Sequence, residues 1–292
     1  MKWHSLRKLQ SLVFSPYYYS LIRDPKQWGW LSTDETSLIE QFCQFGIPVQ
    51  DIEISSGEYK DYFEKAGYSI RYSKYYPHNI VEKSLEHFIA QKILQLNPTD
   101  VYVDIASEGS PVPEIYHRLY GCVTYAQDLA YPPGLIGNKI GSDAASLPLP
   151  DGSVTKMALH CSFEHFEGDS DTNFIKEAAR VLQVGGRVVI TPLYLDSRYA
   201  IATDPVISRG NRVYLESDAL VLAIKGWGNR HGRIYDPLHL SSRVLESAQD
   251  LVFKVMRISN LKDISDTAYA RFLLVGTRSD NNSKKVRSSD VL

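Results

Sequence analysis

One segment, residues 101–190, constrains the fold of this chain more than any other, because strand-like and helix-like stretches alternate along it. It opens with a β-rich run at residues 101–105, followed by a turn of small residues and a helix-like stretch. A second strand-like run ends at Asp128. Near the end, the sequence ARVLQVGGRVVI predicts a helix that stops at the glycine pair Gly185-Gly186, where a strand begins. Such alternation predicts a parallel sheet with right-handed crossovers.

The composition is ordinary for a globular protein and excludes several classes of function. Hydrophobic residues make up 43% of the chain and charged residues 23%, which argues against disorder and against a membrane bundle. With a formal net charge of -2 and no long run of Lys and Arg, we expect no nucleic-acid partner. No stretch approaches the roughly 20 apolar residues that span a bilayer. The 3 scattered cysteines indicate reduced thiols in a cytoplasmic protein rather than a disulfide framework.

Changes of pattern divide the chain into regions. Residues 1–97 are predicted to form an N-terminal, Tyr-rich helical region that caps the core, and residues 98–278 an α/β domain. Residues 192–240 break the rhythm of that domain and are predicted to be an insertion on the substrate side. Residues 279–292 are polar and are predicted to be a disordered tail.

Periodicity predicts further elements at both ends of the chain. Apolar residues recur at helical spacing in residues 35–45 and 80–96. Residues 1–14 have one apolar face, which is typical of a helix that docks on the protein and less often of one that lies on a membrane surface. After the insertion we expect a helix at residues 241–249. Two strands, at residues 251–258 and 268–275, should follow it.

Polar residues at the ends of successive strands predict a binding site. Asp104 ends the first strand, Asp128 ends the second, Asp143 follows later, and His160 ends the fourth. Because the carboxyl ends of parallel strands form the crevice where such sheets bind ligands, these residues should converge. Asp128 is suited to accept two hydrogen bonds from a ribose diol, or it is a turn acid. Asp143 is suited to accept from the amino group of a base, or it forms an Asx turn.

Together these segments resemble a class I S-adenosylmethionine-dependent methyltransferase, in the broad branch that acts on small molecules, lipids or sugars. The resemblance covers residues 97–195 by motif and residues 240–277 by layout, and it includes the LPLPDGS segment before strand four. It implies an α/β fold with a Rossmann-like, mostly parallel sheet flanked by helices, an N-terminal helical region and an insertion after strand five. It also implies S-adenosyl-L-methionine as the cofactor.

The resemblance assigns roles to residues of this chain. In the family, the acidic end of the first strand and its turn hold the methionine part of the cofactor, the second acid holds the ribose, and an Asp-Ala pair flanks the adenine. The implied cofactor-binding residues are Asp104, Ala106, Ser107, Gly109, Ser110, Asp128, Leu129, Asp143, Ala144 and Cys161.

The turn after the first strand departs from the family's Gly-x-Gly-x-Gly run. Its three glycine positions are occupied by Ala106, Glu108 and Ser110. Small Ala and Ser side chains still permit a close approach of the backbone, whereas Glu108 adds bulk and negative charge. The Glu108 side chain is expected either to point to solvent or to bind the cofactor's ammonium group.

Two other functions stay open beside a methyltransferase. A dinucleotide-dependent oxidoreductase shares the strand-turn-helix and the later acid, but it needs glycines against the diphosphate, which Glu108 would repel. A methyltransferase-like binding or scaffold protein would keep the fold without accepting cofactor. We favour methyl transfer to an oxygen or nitrogen atom of a small-molecule or glycan-related acceptor.

Histidines near the end of strand four are the candidate catalytic residues. Methyl transfer requires alignment, and removal of a proton when the acceptor is an alcohol or an ammonium group. His165 follows the strand and is a candidate base, although a Glu-His pair at this place often serves structure. His160 is expected to line the pocket, and a role as base is the alternative. No residues have metal-ligand spacing, so no metal is expected, and the oligomeric state is left open. Weaker candidates in the insertion are His231, His239, Tyr194 and Tyr235.

Overall fold

The computed structural model describes residues 31, 33–207, 213 and 215–280. The predicted amphipathic helix at residues 1–14 and all but the first two residues of the predicted tail lie outside this part of the chain. The chain divides into two compact units, each described by itself below. The small unit comprises Met1–Ile47, Glu164–Asp171 and Tyr194–Arg243, and the large unit comprises Pro48–Phe163, Thr172–Leu193 and Val244–Leu292.

Strands and helices alternate through the middle of the chain, as the sequence predicts. The strands are β1 (Val49–Ile52), β2 (Val101–Ile105), β3 (Val123–Ile136), β4 (Lys139–Gly141), β5 (Val154–His160), β6 (Leu182–Thr191), β7 (Ala200–Thr203), β8 (Leu220–Ala223), β9 (Gly232–Ile234), β10 (Leu251–Ile258) and β11 (Phe272–Arg278). The helices are α1 (Glu35–Gln44), α2 (Ser56–Ala66), α3 (Tyr68–Arg71), α4 (Ile80–Leu94), α5 (Val112–Tyr120), α6 (Ser170–Val181), α7 (Pro237–Leu240) and α8 (Leu261–Ile264).

The large unit is built on one sheet of eight strands in the order β1-β10-β11-β6-β5-β2-β3-β4. β2 pairs in parallel with β3 and with β5, and β5 pairs in parallel with β6. β11 is antiparallel to both of its neighbours. The chain leaves β2 for β3 on one side and returns to β5 on the other, so the strand order reverses at β2. The predicted Rossmann-like, mostly parallel sheet flanked by helices is confirmed.

Local sequence signals explain where the helices begin and end. The carboxylate of Asp34 accepts a hydrogen bond from the main-chain N–H of Ser37 at 3.0 Å and caps α1. The hydroxyl of Ser55 caps α2 in the same way. α5 ends at Gly121, whose φ of +70° is the left-handed conformation that glycine adopts most easily.

The junction between α6 and β6 differs from its prediction. The helix ends at Val181 rather than at Gly185-Gly186, and β6 begins before the glycine pair. The pairing with β5 shifts between Val154 and Lys156, so the stretch of β6 around the glycines bulges out of register. Gly185 has a φ of +81°, and a Cβ on Gly186 would lie 2.8 Å from the main-chain oxygen of Gln183. The glycines therefore form a bulge instead of ending a helix.

The division between the two units does not coincide with the predicted boundary at residue 97. It falls between Ile47 and Pro48. β1 adds a strand to the edge of the large sheet, where Val49 pairs with Val255 of β10. Tyr62 of α2 and Leu85 of α4 are buried in one hydrophobic cluster with residues of the sheet. The residues after Pro48 are thus part of the sheet's own core.

The small unit contains a three-stranded sheet in the order β8-β7-β9, within a segment predicted to be irregular. Arg233 of β9 is fully buried and forms ion pairs with Asp171 at 2.9 Å and Glu216 at 2.6 Å. Its Nε also donates to the hydroxyl of Tyr199. A buried charge needs such pairing, so this network ties the unit's segments together.

The remaining elements agree with the sequence in part. β10 has the predicted bounds, whereas β11 begins at Phe272 rather than at residue 268. The predicted helix at residues 241–249 is replaced by α7 and a short π-helical turn, Ser241–Leu245. No helix in the described part of the chain is long and apolar enough to cross a membrane.

Candidate functional site

The strands β2, β4 and β5 end at one edge of the large sheet, and the predicted site residues of the large unit lie at this edge. In the parallel registers, Asp104 of β2 pairs with Ala126 of β3 and with Ala158 of β5. Asp128 pairs with Gly141 of β4. The carboxyl ends of β2, β4 and β5 and the Asp128 position of β3 therefore lie next to the point where the strand order reverses, which is where open α/β sheets bind ligands.

The turn after β2 is closed by hydrogen bonds to β3 in place of the glycines that the family uses. Ala106 adopts a φ of +52°, in the left-handed region that glycine favours. Its N–H donates to the side-chain oxygen of Gln127 at 3.0 Å, and the N–H of Ser107 donates to the main-chain oxygen of Gln127 at 2.9 Å. The N–H of Glu108 donates to the carboxylate of Asp128 at 2.9 Å. These bonds hold Ala106 in a conformation that is otherwise unfavourable for alanine.

The rest of the turn has a conventional geometry. The side chain of Glu108 is exposed, as expected in one of the two alternatives drawn from the sequence. Gly109 has a φ of +69°, which only glycine adopts without strain. The hydroxyl of Ser110 accepts a hydrogen bond from the N–H of Val112 at 3.2 Å and so helps to start α5.

Asp104 is buried, with 1% of its surface exposed. Burial raises the pKa of its carboxyl group to about 7, and hydrogen bonds from Tyr102 and Ser110 only partly oppose that effect. The Tyr102 hydroxyl donates to the carboxyl oxygen at 2.8 Å. A carboxyl group with this pKa changes its charge when a cation approaches at neutral pH.

His160, at the end of β5, is a buried neutral imidazole. Burial and the nearby Lys83 ammonium lower the pKa of His160 to about 3. Its Nε2 lies 3.5 Å from Asp104 and 3.4 Å from the Tyr102 hydroxyl. An imidazole this weakly basic is a poor proton acceptor at neutral pH, so His160 is better suited to lining a pocket than to acting as a base.

Asp128 does not end its strand as predicted, because β3 shifts register after Asp128 and pairs with β4 again as far as Ile136. Asp128 and Asp143, which follows β4, lie in different surroundings. Asp128 is half-buried and accepts hydrogen bonds from the N–H groups of Glu108 and Ala130. Leu129 is 77% exposed. Asp143 is exposed and accepts from the N–H of Ala145 at 2.9 Å, which is the Asx-type turn expected as its alternative role.

Beyond these acids, Ala144 is buried. Cys161, directly after β5, adopts a φ of +52°, and its N–H donates to the main-chain oxygen of Thr191 at 2.9 Å.

A second set of polar residues near this edge was missed from the sequence. α4 is buried on nearly all sides, and its Lys83 donates to Glu86 at 3.0 Å within the interior. Although burial acts to lower the pKa of Lys83, the Glu86 carboxylate and the Cys161 thiol raise it above its ordinary value. Next to them, His87 is fully buried, and its ring lies 4.7 Å from that of His160. The helical spacing of apolar residues concealed these polar positions.

His165 lies in the small unit, whereas His160 and the predicted cofactor-binding residues belong to the large unit. Its Nδ1 is bonded to the main-chain oxygen of His231. A carbonyl only accepts, so Nδ1 carries the proton and Nε2 is left unprotonated in the neutral ring. Nε2 lies 3.6 Å from the Glu164 carboxylate. This tautomer suits a proton acceptor, and the bond to His231 also serves the structure.

The weaker candidates of the insertion have structural partners. His231 is buried, with a pKa lowered to about 4 chiefly by burial, and its Nδ1 contacts the main-chain oxygen of Glu164. His239 stacks on Tyr199 with ring centroids 3.7 Å apart. The Tyr235 hydroxyl donates to Asp171 at 2.7 Å. The main-chain oxygen of Tyr194 accepts from the N–H of Tyr235.

Some buried polar atoms at the edge of the large sheet have no hydrogen-bond partner among the described residues. A buried polar atom without a partner is costly unless a ligand or water satisfies it. Such atoms are the hydroxyls of Ser107 and Ser142 and the Nδ1 of His160.

Neither of two cavities in the large unit marks the site, and no metal-type cluster does so in the described part of the chain. Two cavities of the large unit, of about 550 and 510 Å³, are lined by none of the predicted site residues. Among the residues that the structure describes, no group of three or more His, Cys, Asp or Glu side chains is arranged to hold a metal ion. The candidate site thus rests on the strand ends and their polar contacts.

Comparison with protein families gives one match, to a methyltransferase domain over residues 119–190. This stretch runs from the end of α5 to β6 and includes Asp128, Asp143 and Cys161. The match confirms the prediction that the chain carries a methyltransferase domain, an enzyme class whose cofactor is S-adenosyl-L-methionine. No curated protein matches the sequence.

Several solved structures are similar in fold at low sequence identity. A 1,6-didemethyltoxoflavin-N1-methyltransferase from Burkholderia thailandensis is 14% identical, with a TM-score of 0.47 over 80% of this chain and 94% of that one. The YcgJ protein from Bacillus subtilis is 14% identical, with a TM-score of 0.41 over 68% and 99%. A geranyl diphosphate C-methyltransferase from Streptomyces coelicolor is 13% identical, with a TM-score of 0.39 over 68% and 77%.

Proposed function

We propose that this protein transfers the methyl group of S-adenosyl-L-methionine to an oxygen or nitrogen atom of a small-molecule or glycan-related acceptor. The observation that carries the proposal is the edge of the large sheet that brings together Asp104 near the end of β2, Asp128 in β3 and Asp143 just after β4. These acids lie beside a turn that hydrogen bonds hold in the conformation a glycine would adopt.

The residues at this edge suit the parts of the cofactor. Asp104 and the turn from Ala106 to Ser110 would hold the methionine part, whose ammonium group complements a buried carboxyl. Asp128 would accept hydrogen bonds from the ribose hydroxyls, and Asp143 with Ala144 would flank the adenine. The hydroxyls of Ser107 and Ser142 are buried without a partner among the described residues, which suits contact with a polar ligand.

The charge of the site favours this cofactor over a dinucleotide. S-adenosyl-L-methionine carries a sulfonium cation and no phosphate, whereas a dinucleotide would bring two negative phosphates to the turn. Glu108 and Asp128 are both acidic at this turn, and no glycine takes the first or third position. We therefore assign the chain to a methyltransferase branch with a divergent Ala-Ser-Glu-Gly-Ser-Pro turn, and we set the oxidoreductase alternative aside.

The protein's own residues would align the acceptor and handle its proton. When bound, the cofactor supplies a methyl group that the sulfonium already activates. His165 is the proposed base, since its hydrogen bond to the carbonyl of His231 places the proton of the neutral ring on Nδ1 and leaves Nε2 as the acceptor. His160 and Cys161 would line the pocket at the end of β5. We further propose a cytoplasmic location, which the three scattered cysteines, Cys43, Cys122 and Cys161, suit, and no nucleic-acid partner.

A calorimetric titration tests this function directly. The purified protein is titrated with S-adenosylhomocysteine and, separately, with NAD⁺. We expect a dissociation constant in the micromolar range, corresponding to about 8 kcal/mol, for S-adenosylhomocysteine and no heat for NAD⁺. Binding of neither ligand would favour a scaffold protein that keeps only the fold. Binding of NAD⁺ alone would favour an oxidoreductase.

A further inference from the structure

Gln127 joins two segments of the candidate cofactor site that are distant in sequence. It directly precedes Asp128, the proposed ribose-binding residue, and only 1% of its surface is exposed. Its side-chain oxygen accepts from the N–H of Ala106 at 3.0 Å, in the turn after β2. Its side-chain nitrogen donates to the main-chain oxygen of Ser142 at 2.6 Å, directly after β4. One amide group thus connects the methionine side of the site with the adenine side.

The two bonds fix the orientation of this amide. An N–H needs an acceptor and a carbonyl needs a donor, so only one orientation of the amide satisfies both Ala106 and Ser142. A carboxylate at this position would keep the first bond and repel the Ser142 carbonyl. An aliphatic side chain would lose both bonds and leave main-chain groups of the half-buried Ala106 and Ser142 without these partners, which costs stability.

The Gln127 contacts also account for the unusual turn. The left-handed conformation of Ala106 is held by the side chain of Gln127, and the N–H of Ser107 is held by its main-chain oxygen. In a turn of glycines, no such restraint is needed for this conformation. The amide of Gln127 therefore offsets the strain that Ala106 introduces.

We infer that Gln127 is a positioning residue that sets the separation between the turn holding the methionine part and the loop holding the adenine. The inference rests on the proposed function. It makes a distinction between ligands: S-adenosylhomocysteine spans both segments, whereas adenosine lacks the methionine part. Removing the hydrogen bonds of Gln127 should therefore weaken the binding of S-adenosylhomocysteine more than the binding of adenosine, because only the larger ligand requires both segments at a fixed distance.

The experiment compares the wild type with Gln127→Leu and Gln127→Glu, and with Gln50→Leu as the matched control. Gln50 also lies on a strand of the large sheet, β1, but is exposed. Affinities for S-adenosylhomocysteine and adenosine are measured by calorimetry, together with the thermal midpoint and hydrogen exchange at the Ala106 amide. In the Leu variant the affinity for S-adenosylhomocysteine should fall about tenfold more than the affinity for adenosine, while both affinities stay unchanged in the control. The Glu variant keeps the hydrogen bond from the Ala106 N–H. Hydrogen exchange at that amide should therefore be slower in the Glu variant than in the Leu variant.

Each outcome bears on a definite statement. If the Leu variant loses both affinities by the same factor along with its thermal midpoint, Gln127 is merely structural and the inference is overturned. Unchanged affinities and unchanged exchange at Ala106 would overturn it as well. If the wild type itself binds no S-adenosylhomocysteine, the proposed function fails first and the inference falls with it.

Discussion

The carboxyl group of Asp104 lies 3.5 Å from the Nε2 of His160, yet the two groups do not form a salt bridge. Burial raises the pKa of Asp104 to about 7 and lowers the pKa of His160 to about 3. Between these values both groups are uncharged. The Asp104 carboxyl group can thus still ionise at the edge of the sheet. The neighbouring His160 stays neutral, so it does not compete with a cationic ligand for the Asp104 carboxylate.

This relationship predicts how stability depends on pH. The pKa of Asp104 is raised above the ordinary value of an unfolded Asp, so the folded protein binds more protons between about pH 4 and pH 7. The stabilisation that results from the raised pKa of Asp104 is complete below about pH 4 and is lost as the pH rises to about 7. Urea unfolding at pH 5, 6, 7 and 8 should give a less negative slope of the free energy of unfolding against pH in Asp104→Asn than in the wild type. The lowered pKa values of His160 and His231 contribute slopes of the opposite sign in both proteins.

Glu82 must be counted in that measurement. Burial raises the pKa of its carboxyl group to about 7 as well, and a main-chain hydrogen bond from Tyr269 opposes the effect only in part. Glu82 therefore contributes a slope of the same sign, which Asp104→Asn leaves in place. A variant with both Asp104→Asn and Glu82→Gln should flatten the profile further. Identical slopes in the wild type and Asp104→Asn would contradict a raised pKa at Asp104.

Replacing Glu108 tests whether its acidic side chain obstructs the cofactor turn. The side chain is exposed, and its main-chain N–H rather than its carboxylate contacts Asp128. We expect Glu108→Gly and Glu108→Gln to bind S-adenosylhomocysteine within about threefold of the wild type, a difference below 1 kcal/mol. Binding by the Gly variant alone would instead mean that Glu108 blocks the site in the natural protein.

His165 should contribute to stability without contributing to cofactor affinity. His165→Phe keeps a ring beside Trp227, whose centroid lies 5.9 Å away, but it loses the bond from Nδ1 to the His231 carbonyl. A lost hydrogen bond of this kind lowers the free energy of unfolding by about 1 kcal/mol. Chemical unfolding measures this loss, and His165→Asn, which keeps a donor, should recover part of it. A tenfold loss of S-adenosylhomocysteine affinity in the Phe variant would show that the residue holds cofactor instead.

The sequence predicted the central strands well because their patterns are local and strong. β10 has the predicted bounds, Leu251–Ile258, and β2 follows its β-rich run. β1 was missed because it has only four residues and no fully buried position, so its pairing with β10 alone makes it a strand. The glycine pair of β6 was misinterpreted because a bulge and a helix end both call for glycine in the left-handed conformation.

The acidic residues of the candidate site were predictable from the sequence, whereas the residues that position them were not. Asp104 and Asp128 lie near the ends of β-rich runs that are visible in the sequence, although β3 itself continues past Asp128. The role of Gln127 depends on two contacts, with Ala106 and Ser142, that form only when three strands are side by side. A sequence signal exists nonetheless: a Gln directly before the acid that ends a buried strand must find partners for its amide. The buried pair Lys83–Glu86 left no such signal within an apolar helix.

The most direct test of the proposed site is the affinity of Asp128→Ala for S-adenosylhomocysteine, with Asp61→Ala as the control. Asp61 is also an acid of the large unit, but it is exposed on α2 and does not belong to the strand edge. Asp128→Ala would remove the proposed hydrogen bonds to the ribose together with those that the carboxylate accepts from the N–H groups of Glu108 and Ala130. It should weaken binding by about 100-fold or more while the protein stays folded, and the control should bind as the wild type does. Wild-type affinity in a folded Asp128→Ala protein would contradict a cofactor site at this edge.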